Sequence, residues 1–154
     1  MLTDEDKTAI AAETAHCPRK QGACVEALKI VQARRGWVSD DDIRDISDEL
    51  QMTPDELDSV ATFYNLIFRK PVGRHVILVC DSVSCWIMGC GRLQQHLCET
   101  LRIQPGQTTP DGRFTLLPIV CLGACDRAPT MMIDDELYTH VDPKKIDEVL
   151  SQFE

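Results

Sequence analysis

Long apolar runs are missing from this chain of 154 residues. No stretch approaches the roughly 18 apolar residues that a membrane-spanning helix requires. Basic residues are also scarce. Sixteen Lys and Arg stand against 25 Asp and Glu, a formal net charge of −9. That balance argues against a nucleic-acid or anionic-membrane surface, since both need clustered cations to neutralise phosphate. The first residues include Asp4, Glu5 and Asp6, where a signal or transit peptide would be basic, so a cytoplasmic location is expected. None of the eight cysteines are spaced C-x-x-C, which excludes the usual dithiol oxidoreductase arrangement. No G-x-G-x-x-G or phosphate loop is present, so no nicotinamide, flavin or nucleotide site is expected on this chain.

Apolar residues make up 44% of the chain, enough to bury a core in one ordinary domain or two small ones. The first seventy residues read as helices. Thr3 with Asp6 forms a capping-box pattern before a segment to about Ala15, and Ala23 to Arg35 is helical in composition and stopped by Gly36. Ser39 with Asp42 can cap a segment through Leu50, and Thr53-Pro54-Asp55-Glu56 is a strong helix start. Ala27, Leu28, Val31, Ile43, Ile46, Leu50, Leu57, Val60, Ala61 and Tyr64 recur at helical spacing and are expected to form a small core.

Lys70-Pro71-Val72-Gly73 is a breaker cluster and reads as the linker between a helical domain, 1–70, and a second domain, 71–154. Beyond it, strand and helix alternate. The expected strands are His75 to Val79, Phe114–Ile119 and a hairpin of Met131-Met132-Ile133 with Leu137-Tyr138. A helix from about Gly91 to Arg102 and a terminal helix capped by Asp142 and Pro143 complete the pattern. The fold class is therefore α+β: an N-terminal helical bundle, then a thioredoxin-like mixed sheet with flanking helices.

The chemistry turns on cysteine. Cys80 and Cys85 form C-D-S-V-S-C, and Cys121 and Cys125 form C-L-G-A-C. Without an export signal these thiols are expected in a reducing compartment, where metal or redox chemistry is favoured over disulfides. Both pairs fall at the ends of expected strands, so two loops distant in sequence can converge on one side of a sheet. Four thiolates are the usual ligand set for a [2Fe–2S] cluster. Structural zinc is the nearest rival, with pairs two to four residues apart. Gly123 can turn the chain tightly and aim an amide at sulfur, and Trp86 and Ile87 could shield the site from water. Cys90 and Cys98 read as small hydrophobes beside Leu93 and Leu97, while Cys17 and Cys24 have no assigned role. His16, His75, His96 and His140 form no ligand-spaced cluster, and no catalytic residue is expected.

These residues resemble the family of the E subunit of NADH-quinone oxidoreductase, the small iron–sulfur subunit of the NADH dehydrogenase module of respiratory complex I. Besides the two cysteine motifs, the likeness includes E-A-L-K-I-V-Q from Glu26 to Gln32 before Gly36-Trp37-Val38, V-A-T-F-Y from Val60 to Tyr64, and P-G-Q-T-T-P-D-G-R-F-T-L-L-P from Pro105 to Pro118. The resemblance spans nearly the whole chain and favours iron–sulfur over zinc. It implies one [2Fe–2S] cluster held by Cys80, Cys85, Cys121 and Cys125, and a thioredoxin-like C-terminal domain. It also implies a partner flavoprotein subunit that binds FMN and NADH, with further iron–sulfur subunits of the peripheral arm. The chain would then be an oxidoreductase subunit with no catalytic site of its own, exchanging single electrons with FMN and lying peripheral to the inner membrane through its partners. An equivalent diaphorase subunit of an NAD-linked hydrogenase or formate dehydrogenase is the alternative, and a zinc-stabilised interaction module is a further one. A low potential is expected, in the region of about −400 mV seen for all-cysteine plant-type clusters.

Overall fold

The computed structural model describes residues 1–153. It divides into two compact units, one from Met1 to Pro71 and one from Val72 onwards.

The first unit is built from four helices whose starts are written locally. Helix α1 (Asp4–Ala15), α3 (Asp40–Leu50) and α4 (Pro54–Phe63) each open with a complete capping box, on Thr3/Asp6, Ser39/Asp42 and Thr53/Glu56. In each, the cap hydroxyl takes a free amide of the first turn and the acidic side chain takes the cap's own amide. Helix α2 (Cys24–Arg35) follows a short 3-10 turn (Lys20–Ala23) and stops at Gly36, whose φ of 81° is the left-handed conformation that glycine adopts most readily. Ile10, Ala27, Leu28, Val31, Ile46, Leu50, Leu57 and Ala61 close the core between these helices.

Tyr64 departs from the expected stripe. Helix α4 ends at Phe63, and Tyr64 turns extended (φ −87°, ψ 112°), which breaks the 3.6-residue register that would have carried its ring inward. Tyr64 and Phe63 are both exposed and pack edge to face on each other.

The second unit carries a four-stranded mixed sheet in the order β2-β1-β3-β4. Strand β1 (His75–Cys80) is central, and β2 (Phe114–Ile119) lies parallel to it with Cys80 opposite Ile119. Strand β3 (Met131–Ile133) runs antiparallel on the other side of β1, with Met131 opposite Val79, and β4 (Glu136–Tyr138) pairs with β3. A parallel pair needs a crossover. It is made by α5 (Val83–Ile87) and α6 (Cys90–Leu101), and α7 (Pro143–Leu150) closes the chain. Ile77, Val79, Leu93, Leu97, Phe114, Leu116, Met131, Ile133 and Ile146 form the core. No described helix is long and apolar enough to cross a membrane.

Candidate functional site

The sheet register brings the cysteine segments together. Parallel pairing sends β1 and β2 out over the same edge, so the chain after Cys80 and the chain after Ile119 emerge side by side. The Asp81 amide donates to the Ile119 carbonyl at 3.1 Å and fastens the two exits to each other. Cys80 is the last residue of β1 rather than part of a loop. The stretch expected to be a simple cysteine loop contains the single-turn helix α5, and Cys85 lies inside it.

Cys80 and Cys85 are each 1% exposed, whereas Cys121 and Cys125 lie on the surface. The Cys121 and Cys125 sulfurs are 3.7 Å apart, and the Gly123 amide donates to Cys121 Sγ at 3.3 Å. Gly123 has φ +75°, a conformation costly for other residues, so the glycine both turns the loop and aims its N–H at sulfur. Cys80 Sγ lies 3.7 Å from the Val120 carbonyl oxygen, which ties the first pair to the second loop. Cys85 Sγ lies 3.5 Å from the hydroxyl of Thr130.

The thiols differ in how readily they ionise. Burial opposes ionisation of Cys80, but the Ser82 amide, the Cys85 thiol and the Leu122 amide that face it outweigh burial and hold it below the usual thiol range. Burial pushes Cys85 up. Cys125 is raised by its neighbour Cys121, with the Ser84 hydroxyl acting in the opposite sense. Cys90 and Cys98 are pushed up by burial, as befits apolar packing.

Among the described residues, no group of three or more His, Cys, Asp and Glu side chains is placed to hold one metal ion. The thiols are instead arranged as pairs, a donor set suited to two irons taking two thiolates each. His75 and His96 each bond an aspartate at 2.8 Å, Asp134 and Asp147 respectively. Trp86 and Ile87 are both 70% exposed, and Val83, Met88 and Val120 are exposed as well. Two polar neighbours of sulfur escaped the sequence reading, Ser84 and Thr130. Ser84 carried a signal in lying beside Cys85; Thr130 is 45 positions from the thiol it meets and carried none.

Comparison with known proteins identifies the family. The model for the thioredoxin-like [2Fe–2S] ferredoxin family matches residues 10–154. The E subunit of the NADH-quinone oxidoreductase of Salmonella typhimurium is 50% identical over 99% of this chain and 92% of its own length, and that of Pseudomonas aeruginosa is 45% identical over 99% and 92%. Among solved structures, an NAD+-reducing [NiFe]-hydrogenase in the H2-reduced state matches with a TM-score of 0.71 and 28% identity, over 85% of this chain and 22% of that one. With its fold, paired thiols and full-length relatives in agreement, the chain belongs to the thioredoxin-like [2Fe–2S] ferredoxin family, in the line of the E subunits of NADH-quinone oxidoreductase.

Proposed function

We propose that Cys80, Cys85, Cys121 and Cys125 hold one [2Fe–2S] cluster, and that the chain exchanges single electrons between it and FMN on a partner flavoprotein subunit of an NADH:quinone oxidoreductase. The observation that carries the reading is the convergence of two cysteine pairs over one sheet edge, with a 3.7 Å Cys121–Cys125 separation and an amide aimed at sulfur. When bound, the cluster supplies a site that takes up and releases one electron. The protein's own work is placement and electrostatics. Strand β1 and helix α5 bury two ligands, while the loop carrying Gly123 keeps the other two at the surface, where a redox partner can approach. Amide donors facing Cys80 and Cys121 stabilise negative charge on sulfur. No proton transfer is required, and no acid or base is assigned.

NADH and FMN belong on the partner, and the chain would be peripheral to the membrane through that partner and the other iron–sulfur subunits. The helical unit, residues 1–70, supplies much of the docking surface in this reading. The likeness to the hydrogenase supports a second reading, a diaphorase subunit of an NAD-linked hydrogenase, but relatives at 45–50% identity over the full chain favour the quinone reductase.

Anaerobic purification with analysis of iron, sulfide and zinc tests the assignment. Two irons, two sulfides and an S = 1/2 signal after dithionite are expected, with the signal altered or lost in Cys121→Ser. One zinc and no chromophore would overturn it.

A further inference from the structure

Thr130 is a buried hydroxyl whose contacts are with the proposed ligands. It is 1% exposed and immediately precedes β3. Its carbonyl accepts the Cys80 amide at 3.2 Å, and its Oγ1 lies 3.5 Å from Cys85 Sγ while also facing Cys80. A threonine hydroxyl in an interior ordinarily bonds a nearby carbonyl or side-chain oxygen. Here the partner is sulfur. A cysteine bound to iron is a thiolate with no proton to give, so the hydrogen bond can run only from the Thr130 O–H to Cys85 Sγ.

We propose that Thr130 is a positioning residue that sets the reduction potential of the site, its O–H donating to the Cys85 thiolate and stabilising the reduced state over the oxidised one. The inference rests on the ligand assignment above. Reduction adds one negative charge to the thiolate-ligated centre, and a donor aimed at sulfur favours that extra charge most where the surroundings are dry, as they are at Cys85. The residue's β-branched shape is matched by valine, so the hydroxyl can be removed with little change in packing.

The test compares full-length wild-type protein with Thr130→Val and Thr130→Ser, each first assayed for iron and sulfide and then titrated by EPR-monitored reduction. Thr130→Val should keep two irons and two sulfides but titrate lower. At a fixed potential the ratio of reduced to oxidised protein should fall about tenfold, equivalent to about 59 mV for one electron. Thr130→Ser should return toward wild type. A fully loaded Thr130→Val at the wild-type potential, or Thr130→Ser falling as far as Thr130→Val, would overturn the proposal. A second measurement guards against a variant that fails to load. In D2O the reduced wild-type protein should show, besides the amide deuterons that face Cys80 and Cys121, one further exchangeable deuteron coupled to the cluster, kept in Thr130→Ser and missing in Thr130→Ala. The same deuteron persisting in Thr130→Ala would be equally fatal. Failure of the underlying ligand assignment is separately visible, as a wild-type protein without two irons and two sulfides.

Discussion

The helical unit and the sheet unit treat their buried polar groups differently. In the first, Asp6 is buried against Arg34, and Asp42 is buried with Arg35 2.7 Å away, so each interior carboxylate meets a cation of its own unit. Both aspartates also close capping boxes. In the second, the interior polar groups near the sheet edge are thiols and the Thr130 hydroxyl, which face one another rather than opposite charges. One unit is self-sufficient, and the other is shaped to receive a guest. Substitutions in the first should therefore be felt as stability, and substitutions at the edge of the second as iron content or potential.

The largest expected break between the two comes from Leu28→Ala. Leu28 is fully buried in the helical core, and its truncation should cost about 3 kcal/mol in chemical denaturation while leaving iron and sulfide per folded chain unchanged. Loss of iron in proportion to lost helicity would show that the units are not separable in this way. Next in size is the acid response of the Asp6–Arg34 pair. Burial acts to raise the Asp6 pKa, but the hydrogen bonds from Arg34 and Thr3 outweigh it, and the folded value lies below the ordinary one. A depressed carboxylate contributes stability above its unfolded pKa, near 3.9, and loses it as pH falls through the lower folded value. Asp6→Asn should thus destabilise the helical unit at neutral pH, with the gap from wild type closing in denaturation curves taken below about pH 4. The smallest effect is expected at Gly123→Ala. A Cβ there meets nothing within 4 Å, so only the strain of φ +75° remains, about 1 kcal/mol. It should be read as a faster loss of visible absorbance under a chelator, with helix content unmoved.

What could be read from the sequence was what is local. Capping boxes at Thr3, Ser39 and Thr53 and the αL stop at Gly36 involve residues within a few positions, and the structure contains them. Strand β2 and the hairpin around Asp134 followed from turn chemistry and alternation. Helix α5 did not, because five residues, Val83 to Ile87, are too few to show a helical period of their own. Tyr64 was misplaced by carrying a helical stripe one residue past its end. Among the residues around sulfur, Gly123 was legible as a turn that could aim an amide. Thr130 was not, since the strand pairing that brings it to Cys80 and Cys85 spans tens of positions.

The parallel register of β1 and β2 also sets which insertions and deletions the gene can tolerate. Shifting one strand by a single residue turns every side chain of that strand to the opposite face, and here it would carry Cys80 and Cys121 away from each other. The residues from Cys80 to Cys85 and from Ile119 to Cys125 therefore act as a fixed ruler. The connection over 102–113 enters β2 at the opposite edge of the sheet, beside His75. That connection folds back onto β2, with the Gly106 amide on the Leu116 carbonyl at 2.7 Å and the Thr109 amide on the Phe114 carbonyl at 2.8 Å, so an insertion there would disturb the strand's entry rather than the spacing of the thiols.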